Sequence, residues 1–123
     1  MEYVRKVDFA AIANSGADER VNQRLFDPAS GSSTCVIAYI KTPPGGGSPA
    51  GLHTHPVDQI FYIMSGTMNI EVEGQQHVCP PGSLVVFPAG VPHRNWNAGS
   101  EQTIHLAINT PLPEANAASR QSL

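Results

Sequence analysis

The sequence predicts an all-β fold, a barrel or sandwich of short antiparallel strands, and three observations predict it. Glycine and proline are abundant, at 11 each, and fall between runs of β-branched and aromatic residues. Those runs are short and closely spaced, as in sandwiches and barrels. No stretch of useful length carries the period of an amphipathic helix.

In chain order, Tyr3–Asp8 reads as a first strand and Asp8–Arg20 has room for a single helical turn. Val21–Phe26 and the β-branched run Thr34–Lys41 follow as strands. The Pro- and Gly-rich stretch 43–51 is a loop leading into the first histidine. Gln59–Ser65 and Thr67–Glu73 flank Ser65-Gly66-Thr67, a hairpin turn. Glu73-Gly74-Gln75 is a second such turn, leading to Gln76–Cys79. Ser83–Phe87, His93–Trp96 and Gln102–Asn109 complete the strands. From Thr110 the Pro-containing, small-residue tail reads as an arm or a disordered end. The 123 residues suit one domain over 1–123, with its core at about 20–109.

A net charge of −3 argues against nucleic acid, which asks for a basic face. No basic amphipathic segment suggests a membrane surface. No run approaches the ~18 apolar residues needed to span a bilayer. The N-terminus Met1-Glu-Tyr-Val-Arg-Lys lacks the apolar stretch of a signal peptide. The expectation is a cytoplasmic protein. Cys35 and Cys79 are too few for a disulfide scaffold and are expected as reduced, small hydrophobes; the alternative is one bridge between them.

The chemistry is concentrated in His53-Thr-His55-Pro-Val-Asp-Gln59 and in Pro88-Ala-Gly90-Val-Pro92-His93. Alternate side chains of a strand share a face, about 6.6 Å apart. His53 and His55 therefore point into one space, and Gln59 has the parity to return to it. Imidazoles facing a dry interior are costly unless satisfied, and a metal satisfies them. His93 supplies a third imidazole from another strand. Three imidazoles and an amide oxygen leave open positions on a six-coordinate ion, as in a catalytic site. Phe61 and Ile63 share the parity of Gln59 and are expected to line the same pocket. Asp58 has the opposite parity and points out. Tyr62, Phe87 and Trp96 read as core or subunit-interface residues, and His77 as a surface residue.

These residues resemble the cupin family. Its first motif, G-x5-HxH-x3,4-E-x6-G, is matched by Gly47, His53, His55, Gln59 and Gly66, with Gln in place of Glu. Its second, G-x5-PxG-x2-H-x3-N, is matched by Gly82, Pro88, Gly90, His93 and Asn97. The resemblance implies a double-stranded β-helix, or jelly roll, often dimeric. It implies one divalent transition metal on His53, His55 and His93, with Gln59 at the fourth position. The Gln leaves the ion's charge uncancelled, which weakens binding and makes the metal a stronger electrophile.

Cupins with three His and one Gln include small hydroxynitrile lyases that use manganese. The chain is similar to them in residues 53–59 and in Thr103-Ile-His105-Leu-Ala-Ile108. That likeness implies manganese first, with iron, nickel or zinc as alternatives, and places a catalytic base at His105. Parity sets His105 apart from the aliphatic face Ile104, Leu106 and Ile108. The expectation is a homodimeric metal enzyme for a small organic substrate, a lyase of the hydroxynitrile-lyase kind. An oxygen-dependent dioxygenase and a ligand-binding cupin without turnover are the alternatives.

Overall fold

The computed structural model describes residues 2–16, 18–32, 34–48 and 51–112. Eight strands dominate it: β1 (Val21–Phe26), β2 (Val36–Thr42), β3 (Asp58–Ser65), β4 (Met68–Val72), β5 (Gln75–Cys79), β6 (Leu84–Phe87), β7 (His93–Trp96) and β8 (Thr103–Thr110). All pairings are antiparallel. A five-stranded sheet runs β1-β2-β8-β3-β6 and a three-stranded sheet runs β5-β4-β7. Ala38, Ile40, Phe61, Ile63, Met68, Ile70, Cys79, Val85, Phe87 and Ala107 fill the space between them.

The single helical turn expected before β1 is α1, Phe9–Asn14. Asp8 caps it, its carboxylate accepting from the Ala11 N–H. Phe9 stacks on Tyr39, ring centroids 5.1 Å apart, and so covers the outer face of β2. Lys41, on that same face, donates from Nζ to the Ser15 carbonyl. This cover explains why β2 is buried on both faces.

The strand expected at Tyr3–Asp8 does not form. Tyr3 and Val4 are both exposed, so the segment has no buried face to stabilise a strand. It is held instead by Arg5, which donates to the carbonyls of Leu25 and Ser30 and lies over the Phe26 ring. At the other end, Leu112 is buried beside Val36 and Val57, and its N–H donates to the Thr34 carbonyl. The arm expected from Thr110 otherwise lies outside the described residues. Cys35 and Cys79 are free; Cys79 sits in the core, where burial raises its pKa. Among the described residues, no helix is long and apolar enough to cross a membrane.

Candidate metal centre

Backbone pairing brings the two histidine segments together. The His53 N–H donates to the His93 carbonyl and the His93 N–H to the His53 carbonyl, each at 2.9 Å. Gly90 N–H donates to the His55 carbonyl, also at 2.9 Å. The segment before β3 is thus laid along the turn into β7. The ligand nitrogens of His53, His55 and His93 lie within 4.8 Å of one another. Gln59, near the start of β3, joins them from the opposite sheet, its Oε1 3.0 Å from His93 Nε2.

His93 is the best-defined member. Its ring stacks on Phe87 at 3.9 Å and 8°. Its Nδ1–H donates to the Val91 carbonyl at 2.9 Å. Burial lowers its pKa; the bond to Val91 opposes that shift and the nearby His53 adds to it. The ring is therefore neutral at neutral pH, with its one proton on Nδ1 and a bare lone pair on Nε2. A carbonyl that fixes the tautomer in this way is the usual outer partner of a metal-binding imidazole.

The residues fit a divalent ion. The bare Nε2 of His93 faces the Gln59 side chain, and Gln59 Nε2 is buried without a hydrogen-bond partner. Two acceptor atoms set 3.0 Å apart are satisfied by a cation bonded to both. Three imidazole nitrogens and an amide oxygen form a donor set for a first-row ion.

Beside three of these residues is a cavity of about 480 Å³, lined by Arg20, Gly47, Ser48, His53, Thr54, His55, Gln59 and Asn95; His93 is not on its wall. Sequence reasoning missed Arg20, Ser48 and Asn95. The parity of Asn95 with His93 was a usable signal. Nothing local to Arg20 marked it, because it stands 33 positions before His53.

The expected pocket residues Phe61 and Ile63 face inward, as parity requires, but neither is on the cavity wall. Both are core residues, and Phe61 meets Phe87 edge-on at 5.5 Å. Each inward position along β3 lies about 6.6 Å deeper than the last. Gln59 is at the depth of the cavity, and the next two inward residues are below it.

The same depth applies to His105. On β8 it pairs with Ile63, whereas Gln59 pairs with Asn109. His105 is inward-facing and buried, 4.4 Å from the Phe61 ring, and is not among the residues of the cavity wall. Neither ring nitrogen has a hydrogen-bond partner. Burial, and then the charge of Arg20, lowers its pKa to about 3. The inward β8 residue level with Gln59 is Asn109, fully buried with both amide atoms unpartnered. Asp58 points outward and accepts from the Ala89 N–H, and His77 is exposed, both as expected.

Residues 38–109, well over half of the chain, match the profile of the cupin domain. The protein belongs to the cupin family, and its fold is the double-stranded β-helix of that family. Solved structures agree. A candidate mannose-6-phosphate isomerase from Ralstonia eutropha JMP134 is 26% identical, with a TM-score of 0.72, over 89% of this chain and 100% of that one. A candidate sugar phosphate isomerase from Acidithiobacillus ferrooxidans is 31% identical, with a TM-score of 0.65, over 76% of this chain and 60% of that one. A candidate oxalate decarboxylase from Thermotoga maritima is 28% identical, with a TM-score of 0.57, over 63% of this chain and 66% of that one. A search of curated proteins gives no match.

Proposed function

We propose that this cupin is a metal-dependent enzyme that acts on a small organic substrate, by redox-neutral lyase chemistry of the hydroxynitrile-lyase kind. The observation that carries the reading is the cluster of His53, His55 and His93, with the Gln59 amide oxygen 3.0 Å from His93 Nε2, beside a cavity that His53, His55 and Gln59 line. When bound, the ion supplies Lewis acidity toward a substrate hydroxyl, enolate or carboxylate oxygen. Manganese is the first candidate, with iron, nickel or zinc next. Three of the structures it resembles are named for mannose 6-phosphate, a sugar phosphate and oxalate, all small anions rich in oxygen. The free thiols Cys35 and Cys79 accord with a cytoplasmic setting.

The chain's own residues hold and orient. Val91 fixes the His93 tautomer, and Phe87 fixes its ring plane. The core beneath, with Phe61 and Ile63, closes the interior on that side. His105 is the imidazole available inside the barrel beyond the ligand set, and a proton-transfer role for it requires a substrate that reaches past the cavity wall to the level of Ile63. A positioned base contributes about 10²–10⁴-fold when its pKa is near the working pH. With its pKa lowered to about 3, His105 belongs at the low end of that range.

The test is an assay on cyanohydrins, small enolisable ketones and their carboxylate-bearing counterparts, with and without oxygen, before and after chelation and metal reloading. Turnover should require the metal and persist without oxygen. Turnover that stops without oxygen replaces the lyase with a dioxygenase. Ligand binding with no turnover under any condition replaces the enzyme with a binding cupin.

A further inference from the structure

Among the described residues, the cavity wall carries a permanent cation and no carboxylate. Among the described residues that line it, Arg20 is charged at every working pH, and none is Asp or Glu. Arg20 immediately precedes β1, whose Val21 pairs with Lys41 on β2. The start of the five-stranded sheet therefore delivers Arg20 to the space shared by His53, His55 and Gln59. Its charge also acts on His105 inside the barrel.

The ligand set adds to this polarity. Imidazoles and an amide are neutral donors, so a divalent ion held by them keeps its full formal charge. A pocket of one sign with low-dielectric walls focuses its field on the opposite charge. Here the described lining residues include one guanidinium and no carboxylate, although the chain as a whole is at −3. A guanidinium offers parallel N–H donors that match a carboxylate or a phosphate oxygen pair. The wall beside it is braced: Asn95 N–H donates to Ser48 Oγ, and Ser48 Oγ donates to the Asn95 carbonyl, both at 3.1 Å. At about 480 Å³ the space suits a small molecule.

We propose that Arg20 is the anion-recognition residue of this site and that the substrate class is a small organic acid. Its carboxylate or phosphate sits on Arg20, while a nearby hydroxyl or carbonyl oxygen faces His53, His55, Gln59 and His93. The second contact rests on the metal-dependent reading above; the first does not.

Calorimetric titration tests it with three probes: lactate, its neutral amide lactamide, and glycerol 3-phosphate. Wild type, Arg20→Lys and Arg20→Gln are each titrated as purified and after chelation, with metal content and thermal unfolding measured on the same samples. Wild type should bind an anionic probe at least about tenfold more tightly than lactamide, the usual worth of a hydrogen bond to a charged group. Whether lactate or glycerol 3-phosphate binds more tightly identifies the anion as carboxylate or phosphate. Arg20→Gln should erase the preference over lactamide with folding and metal content unchanged, and Arg20→Lys should keep part of it. The proposal is overturned if neither anion binds wild type, or if folded Arg20→Gln keeps the full preference. An anion preference that survives in protein found to hold no metal retains Arg20 and removes the metal reading. Full metal content with no anion preference does the reverse.

Discussion

His105 carries a strongly perturbed imidazole. Both ring nitrogens are buried without partners, and its pKa falls from 6.5 to about 3. As pH drops below 6.5 the unfolded chain takes up a proton here that the folded chain refuses until about pH 3. Stability conferred by the neutral ring is thus present above 6.5 and is lost as pH falls through that window, by at most about 1.4 kcal/mol per pH unit. Denaturant unfolding at pH 7 and pH 4.5 should show wild type losing more stability than His105→Leu. Equal losses would contradict a buried neutral imidazole. The same residue shows what a sequence reading of side-chain faces can and cannot reach. Alternation along a strand tells inward from outward, and Gln59, Phe61, Ile63 and His105 face inward as it requires, whereas His53 and His55 lie outside the named strands. It carries no information on depth. Depth comes from cross-strand register, which sets His105 against Ile63 and Asn109 against Gln59.

At the scale of elements, the loop after β2 is what aims the first histidine segment. Asn97 Nδ2 donates to the Thr42 carbonyl, Asn97 N–H to Gly46, and Gly45 N–H to the Asn97 carbonyl. Gly47 then passes against β7 with φ of +106°, where an added Cβ would stand 2.5 Å from the Asn95 carbonyl oxygen. The motif glycine and asparagine are thus backbone devices for the loop. Gly47→Ala should cost about 1–3 kcal/mol, and more if β7 cannot shift. It should also loosen metal binding, because β7 carries His93. An unchanged melting midpoint would contradict this role. Strands bounded by glycine turns were legible: Val21–Phe26 and His93–Trp96 match their expected bounds, and most others differ by a residue or two. Tyr3–Asp8 misled because its β-branched and aromatic residues have no face to bury. The position of Arg20 in the cavity was not legible at all. It depends on how β1 is placed in the sheet, which no local pattern records.

At the scale of the molecule, the outer face of the five-stranded sheet is apolar where the inner face holds the site. Ile60 pairs with Val86 and Ile108, and Tyr62 with Leu84 and Leu106. Tyr62, Leu84 and Val86 are 45%, 67% and 50% exposed. β6 also ends the sheet, with one edge free of any pairing among the described strands. Contiguous apolar rows beside an open edge are more stable covered. A homodimer through this face is the expected state. Light scattering at tens of micromolar should report two chains, and Leu84→Glu should shift the protein to one. A monomeric wild type would contradict the dimer. The site residues face the opposite side of the sheet, so Leu84→Glu should leave metal content intact.

A divalent metal on His53, His55 and His93, with Gln59, is tested by elemental analysis of purified wild type and of a His53→Ala/His93→Ala double variant. The result expected is about one transition ion per chain in wild type and none in the variant, with both proteins folded by circular dichroism. A wild type free of metal after growth and reloading with manganese, iron, nickel and zinc, or a double variant that keeps full occupancy, would contradict it.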